Sequence, residues 1–257
     1  LTVGASSLST NIFNDAGLLA VLKRELDSYY YSAIGYVFMG CFLLIAGIFF
    51  TFGNIMSASS SVGTLFSNIT FIFILIVPIL TMKLMSDERK SKTDQLLLTS
   101  PLSLWSIVLG KFFAACTVFL LTLVCTGVYV IILSAYGNVS GMEVFVNYLG
   151  FFLMGCCLIS VGLFMSTLSE NQVASAISTF GVILFLYLLD SIISSMSSVT
   201  MLSWLCTALK WVSLFARFTD FSSGILSLTG VIYMISFAGI FLLLTVYTIE
   251  KRRWSEG

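Results

Sequence analysis

The sequence predicts an all-α polytopic membrane protein, a single domain over residues 1–257 with six membrane-crossing helices. Three observations carry this. Hydrophobic residues make up 58% of the chain and charged residues 9%, with a mean hydropathy of +1.06, whereas soluble domains carry about 25% charge. A water-soluble fold cannot hide that much apolar surface. The remaining charges sit in short patches, separated by uncharged stretches long enough for the roughly 20 residues a helix needs to cross a bilayer. Lys and Arg also gather on one side of the arrangement those stretches imply.

Taken in order, Leu1–Thr10 is polar and uncharged, so no cleavable signal peptide is expected. Leu18–Tyr31 reads LLAVLKRELDSYYY. Leu18, Leu22, Leu26 and Tyr29 share one helical face, and Lys23, Arg24 and Asp27 take the others. This predicts an amphipathic helix over 18–31 lying on the membrane surface; a cytoplasmic extension of the first span is the plainer alternative. Ser28–Met82 runs 55 residues without a charge, room for two crossings. A polar break (Gly53-Asn54, Ser57–Ser61, Gly63-Thr64 and Ser67-Asn68) divides it into spans near 34–52 and 66–84. Pro78 is expected to kink the second near its inner end.

Met82–Lys111, MKLMSDERKSKTDQLLLTSPLSLWSIVLGK, is the only dense cluster of charge between Asp27 and Lys210. Ser86 and Asp87 suit the start of a short helix, with the acids Asp87 and Glu88 ahead of the bases Arg89 and Lys90. A second short element over Thr93–Thr99 would carry Asp94 and an apolar knob of Leu96, Leu97 and Leu98, before Ser100-Pro101 ends it. A solvated loop with ordinary positive-inside charge explains the bases. It does not explain three consecutive leucines at a water-exposed bend, and exposed apolar clusters mark contacts. Segment 86–98 is therefore the expected meeting point with a soluble partner.

The third span is expected near 104–134, with Lys111 on its first turns snorkelling to the interface and Tyr136-Gly137-Asn138 as its stop. The fourth, fifth and sixth are expected near 144–167, 172–195 and 226–249. The short turn Ser166–Gln172 makes the fourth and fifth antiparallel neighbours. Between the fifth and sixth, segment 197–224 mixes Trp204, Trp211, Phe215, Phe218 and Phe221 with Lys210, Arg217 and Asp220. It is too polar to span freely and too apolar for an open loop. One or two short helices dipping into the outer leaflet are expected, as an outer gate or as an interfacial aromatic belt.

Orientation follows from the bases. With six spans and both termini inside, the inner side holds Lys23, Arg24, Lys83, Arg89, Lys90, Lys92, Lys111, Lys251, Arg252 and Arg253, ten of the twelve Lys and Arg. Only Lys210 and Arg217 fall outside. Five or seven spans would put the two basic ends on opposite sides.

Several function classes are disfavoured. A formal net charge of zero argues against nucleic acid, and the absence of His removes the commonest metal ligand and neutral-pH proton carrier. The six Cys (41, 116, 125, 156, 157 and 206) lack CxxC spacing and read as buried small hydrophobes. There is no GxxxxGK[ST] nucleotide loop; Gly110-Lys111 heads a membrane helix without the upstream Gly. HExxH is absent and no catalytic constellation stands out. A proton-coupled transporter would have to rely on Asp190, Glu170 and Glu143. Asp190 reads either as an interfacial packing residue or as a cavity-lining one. A scaffold would use the small residues Gly155, Gly162, Ser166, Ser175, Ser178 and Gly181 for close helix contact, as any polytopic protein does.

Three patches carry a family resemblance. LKRELDSYYYSAIGYVF (Leu22–Phe38) resembles the surface helix leading into span one of ABC-2 type transporter permeases, which usually have Pro where Ala33 stands. TDQLLLTSPLSLWSIVLGK (Thr93–Lys111) is nearly the signature of that family, with Lys92 where Gly is frequent. SLFARFTDFSSGIL (Ser213–Leu226), followed by a span ending in EKRRW (Glu250–Trp254), is the third. The chain is similar in particular to the permeases of gliding motility and nitrous-oxide-reductase maturation. The resemblance implies an ABC-2 (type V, ABCG-like) exporter transmembrane domain in a bacterial cytoplasmic membrane, working as a dimer with a second or homologous permease copy. It also implies two cytoplasmic ATPase subunits that carry the ATP and Mg, so that this chain needs no cofactor of its own and is not an enzyme. Residues 86–98 match the family's coupling helix, implying ATPase contact through Asp87, Glu88, Arg89, Lys90, Thr93, Asp94, Leu96, Leu97 and Leu98. Residues 18–31 resemble its connecting helix, with Lys23, Arg24 and Glu25 near the ATPase. Residues 197–224 resemble its outer gate, with Trp211, Phe215, Arg217, Phe218 and Asp220. Some relatives also pair with a membrane subunit bearing a large extracellular domain.

Overall fold

A computed structural model describes residues 15–57, 59, 61–91, 103–137, 139–196 and 213–255. Every regular element among them is helical. In chain order these are α1 (Asp15–Tyr31), α2 (Ala33–Phe50) continued by a π-helical turn (Thr51–Ile55), α3 (Val62–Thr81), α4 (Ser86–Lys90), α5 (Leu104–Tyr136), α6 (Gly141–Leu168), α7 (Gln172–Met196), α8 (Leu214–Ser222) and α9 (Leu228–Ser255). Six of these, α2, α3, α5, α6, α7 and α9, are long and apolar enough to cross a membrane.

Local chemistry sets the boundaries. Ser32 separates α1 from α2, and its Oγ accepts the Ile34 N–H as the cap of the first span. The second span begins at Val62 rather than near residue 66. The polar residues Gly63, Thr64 and Ser67 lie inside it, and Thr64 satisfies its hydroxyl on the Ser61 carbonyl. Ser103 caps α5, accepting from Ser106 N–H at 3.2 Å. With 33 residues, α5 is about 50 Å long at 1.5 Å per residue. It therefore outreaches a hydrocarbon core of about 30 Å.

α6 is the central helix. α3, α5, α7, α8 and α9 all pack on it. In lipid there is no hydrophobic drive between helices, so close packing has to hold them together. Two devices supply it. Rings from four spans meet in one cluster: Phe42 of α2, Phe66 and Phe73 of α3, Phe119 of α5 and Phe151 of α6, all fully buried, with Phe66–Phe151 at 4.8 Å and Phe73–Phe119 at 4.9 Å. Small residues then let backbones approach. A Cβ at Gly155 would run into the Phe119 ring, and one at Gly162 into the Thr81 side chain. Gly181 on α7 faces open space, so it makes no close contact with the described residues of its own chain.

This contrast is a test of the packing. Gly162→Ala is expected to lower stability by about 1–3 kcal/mol through overpacking, while Gly181→Ala leaves it unchanged or raises it slightly. Thermal unfolding in detergent reads both, and equal effects would contradict the assignment.

The cysteines divide. Cys116 and Cys157 are buried and Cys156 is half-buried, but Cys41 and Cys125 lie exposed on the outside of the bundle. They are lipid-facing apolar residues rather than core ones. Cys206 lies outside the described residues.

At one end of the bundle α8 lies across the helix ends. Leu214, Phe215, Phe218 and Phe221 are buried and the opposite face is exposed. Phe218 reaches the Phe151 ring at 5.8 Å and Phe215 reaches Tyr187 at 5.2 Å. Arg217 lies 5.3 Å over the Tyr233 ring of α9, and Asp220 is exposed. Gly224, at φ +77°, closes the helix. Asp190 caps the start of α8: its Oδ2 accepts from Phe215 N–H at 2.9 Å and Ala216 N–H at 3.3 Å. Asp190 thus ties α7 to α8. Trp211 and residues 197–212 lie outside the described residues.

Candidate functional site

At the other end of the bundle, five elements meet through charge. The chain leaves α3 at Thr81 and turns through Met82–Met85 into α4. That turn is held from two sides. Tyr29 of α1 donates its hydroxyl to the Leu80 carbonyl at 2.9 Å, one of the carbonyls left over where α3 ends. Burial, and then the charge of Glu25, push the Tyr29 phenol well above its ordinary value, so it stays a donor. From α6, the Ser166 Oγ accepts the Met85 and Ser86 N–H groups at 3.0 and 3.1 Å. It caps α4 from another helix, so the small residue placed on span four by the sequence has a polar task here.

One side of α4 joins a buried ion network. Lys111 Nζ lies 2.9 Å from Glu25 Oε1 and 3.0 Å from Glu88 Oε1. Arg24 Nη2 lies 2.7 Å from Glu88 Oε1 and 3.1 Å from Glu25 Oε1. Two cations and two carboxylates close a neutral ring across α1, α4 and α5. The Lys111 side chain is 2% exposed and those of Glu25 and Glu88 are 12% and 14%, while Arg24 is 58% exposed. Burial works to lower the Arg24 guanidinium, but Glu25 and then Glu88 more than offset it and hold it above its usual value. A cavity of about 280 Å³ opens beside the ring, with Ser28, Lys83 and Asp87 on its wall.

Glycine makes the ring possible. A Cβ on Gly110 would sit 2.8 Å from Val21 Cγ1. Its absence lets α1 lie close on α5, which brings Glu25 within reach of Lys111. The Gly110-Lys111 pair is therefore a packing step followed by a buried cation.

The other side of α4 grips the turn between α6 and α7. Asp87 accepts a hydrogen bond from the Gln172 side-chain amide and lies 3.8 Å from Lys83 Nζ. Arg89 pairs with Glu170 at 2.7 Å and donates to the Thr167 carbonyl at 3.2 Å, covering the C-terminal end of α6. Glu170 is 78% exposed, so this pair contributes only about 0–1 kcal/mol. The buried ring is different in kind. Removing one partner of a buried pair costs about 3–5 kcal/mol, because the other is left charged and desolvated.

Two sequence expectations are corrected here. Lys111 does not snorkel to open water; two carboxylates come to it. The buried line of α1 is Gly17, Val21, Glu25 and Tyr29, with Leu18, Leu22 and Leu26 only half-buried. The helix is rotated from the purely apolar face because Lys111 offers Glu25 an ionic partner. Glu25 faces inward, whereas Lys23 and Lys90 are exposed. Asp87, Glu88 and Arg89 all hold partners within the chain. Thr93, Asp94, Leu96, Leu97 and Leu98 lie outside the described residues. Lys111 is the functional candidate the sequence reading passed over. Its signal was available: an ionisable residue inside an apolar span needs a partner.

The described residues bring together no group of His, Cys, Asp and Glu with metal-binding geometry. What the junction can do is mechanical. α1, α4, the start of α5 and the α6–α7 turn are linked so that a displacement of α4 reaches all of them. A family model described as "ABC-2 family transporter protein" matches residues 48–249. No curated protein matches the chain. The matched region begins within α2, so α1, with Arg24 and Glu25, precedes it.

Proposed function

Because the chain belongs to the ABC-2 family of transporter proteins, we propose that it is the permease subunit through which a separate cytoplasmic ATPase drives export or conformational change across the membrane. The observation that carries this is the ionic junction around α4. A five-residue helix set between two long spans would have little hold on the bundle by itself. Here it is capped by Ser166, ringed with Glu25, Lys111 and Arg24, and tied to the α6–α7 turn. An element anchored on two sides transmits displacement rather than absorbing it. ATP and Mg belong to the partner ATPase.

In this reading α4 and the following residues 91–98 form the ATPase-docking surface. Leu96, Leu97 and Leu98 enter its groove, and the exposed Lys23 and Lys90 set register against it. Two ATPase copies serve a pair of permeases. The permease partner, a second copy or a homologue, packs against α2 and α7, the least buried of the six long helices. Leu44 and Ile48 of α2 and Ile177 and Phe185 of α7 face outward there. α8, plugged onto the aromatic cluster by Phe215 and Phe218, is the gate on the far side. The gliding-motility and nitrous-oxide-reductase-maturation permeases are the subfamily in view, with a bacterial cytoplasmic membrane as the location. A membrane subunit with a large extracellular domain is a further partner in some of them.

The orientation is tested by labelling with a membrane-impermeant maleimide. A Cys at Ser223, beyond α8, is expected to react from outside intact cells, and one at Ser91, after α4, only once the membrane is opened. The reverse pattern would overturn the topology.

A further inference from the structure

The π-helical turn at the end of α2 builds a second site, at the end of the bundle opposite α4. π-Turns insert an extra residue into a helix and recur at binding sites. Here the turn buries Asn54, which is 2% exposed. The Asn54 amide donates to the Ser59 and Ser61 carbonyls at 3.0 and 2.9 Å and so holds down the link to α3. Its Oδ1 has no partner among the described residues. A buried acceptor is ordinarily hydrogen-bonded, so a donor brought to Asn54 Oδ1 would be stabilised there.

That side chain borders a cavity of about 510 Å³, a volume inside the range of about 300–1,000 Å³ typical of ligand sites. Its other walls are apolar: Phe50 and Ile55 from α2 and the π-turn, Ile132, Leu133 and Tyr136 from α5. Ser59 belongs both to this cavity and to an open groove of about 520 Å³ on the other side of the link. Ser57, Ser61, Thr64, Ser67 and Asn68 line the groove. Ser57 and Thr64 spend their hydroxyl protons on the Phe52 and Ser61 carbonyls, at 3.0 and 2.8 Å. These oxygens, like Asn54 Oδ1, are left to accept. No charged side chain is among the described residues lining either space.

We propose that this is a binding site for a membrane amphiphile with an uncharged, hydroxyl-rich headgroup, of the glycosyl diacylglycerol class. Its acyl chain lies against Phe50, Ile132 and Leu133. Its headgroup hydroxyls donate to the Ser57 and Thr64 oxygens of the groove; Asn54 Oδ1, which has no accessible surface, is reached when the link through Ser59 and Ser61 shifts on binding. A groove of hydroxyls and an amide suits a headgroup of hydroxyls, which both donate and accept. A phospholipid would bring a phosphate to a surface with no cation among its described residues. The site is separate from the junction at α4 and does not depend on the ATPase reading.

The test places the full chain in nanodiscs made from equimolar glycosyl diacylglycerol, phosphatidylglycerol and phosphatidylethanolamine. The lipid retained after mild detergent extraction is then measured by mass spectrometry. The glycolipid is expected to be enriched about tenfold over either phospholipid, the discrimination one or two hydrogen bonds supply. Ile132→Trp, which fills the cavity, and Asn54→Leu, which removes the acceptor, are each expected to abolish the enrichment. Photo-crosslinking does not depend on how those variants fold. Benzoylphenylalanine at the exposed Tyr136 is expected to capture the glycolipid, and at the exposed Val173, at the other end of the bundle, to capture the three lipids without preference. Equal retention of the three lipids, a preference for either phospholipid, or the same crosslinking profile at Tyr136 and Val173 overturns the proposal.

Discussion

Lys111→Met is expected to destabilise the chain by about 3–5 kcal/mol, the cost of stripping a buried charge of its partner. Methionine keeps nearly the same length and volume, so little cavity is left and the loss is electrostatic. Among the described partners, Glu25 and Glu88, both largely buried, would then keep Arg24, which is more than half exposed, in common. The remedy is equally specific. In the Lys111→Met background, Glu88→Gln removes the one excess carboxylate and leaves the Arg24–Glu25 pair neutral. It is expected to recover more than half of the lost stability, although Glu88→Gln alone in the wild-type chain is destabilising. That sign reversal distinguishes an ion network from simple loss of packing. Thermal unfolding in detergent measures all four forms. A Lys111→Met chain as stable as wild type, or additive losses in the double variant, would show that the ring is not what holds α1 to α4.

A loss of similar size, about 3–5 kcal/mol, is expected for Phe151→Ala, for a different reason. Phe151 is fully buried and meets Phe42, Phe66, Phe73, Phe119 and Phe218 within ring-contact distance. It joins three spans to the plug formed by α8. Truncation opens a cavity beneath α8 as well as removing the contacts. Phe151→Leu should fall between alanine and wild type. The readout beyond stability is α8 itself: a Cys placed at the buried Leu214, with Phe218 kept, is expected to react faster with maleimide in the Phe151→Ala chain. Unchanged reactivity would mean that α8 is held in place without the Phe151 ring.

How much of this could be read beforehand depends on the range of the interaction. The spans were legible because an uncharged run of 20 or more residues is a local property. Their ends were less so. Gly63, Thr64 and Ser67 looked like part of a polar link, yet they sit inside α3, where Thr64 finds its partner one turn back. α9 runs on past residue 249 to Ser255, because the charges of Glu250–Arg252 are tolerated where a helix leaves the membrane. The amphipathic pattern of α1 correctly indicated a helix but misjudged its inner face. Glu25 looked like any solvated acid, and the residue that buries it, Lys111, is 86 positions away. Asp190 was visible as an oddity in an apolar span. That it caps α8 depended on where a later segment folds. The Asn54 site was hidden for a related reason: a π-turn is a matter of backbone winding, and TFGNI carries no period that announces it. Leu96, Leu97, Leu98 and Trp211 lie outside the described residues, and their roles stay with the proposal.

The proposed docking site of the ATPase is α4 and its surroundings. Glu88 and Arg89 are poor probes of it, since changing either also breaks a contact within the chain. Lys23 and Lys90 are exposed and can be reversed in charge without that cost. The decisive measurement is therefore extraction of the full chain from its native membrane in mild detergent, as wild type and as the Lys23→Glu/Lys90→Glu variant, followed by identification of what accompanies each. An ATP-hydrolysing subunit is expected to come with the wild type, and the variant, still monodisperse and equally heat-stable, is expected to lose most of it. A wild-type chain that purifies alone as a stable species, without ATPase activity, would contradict it.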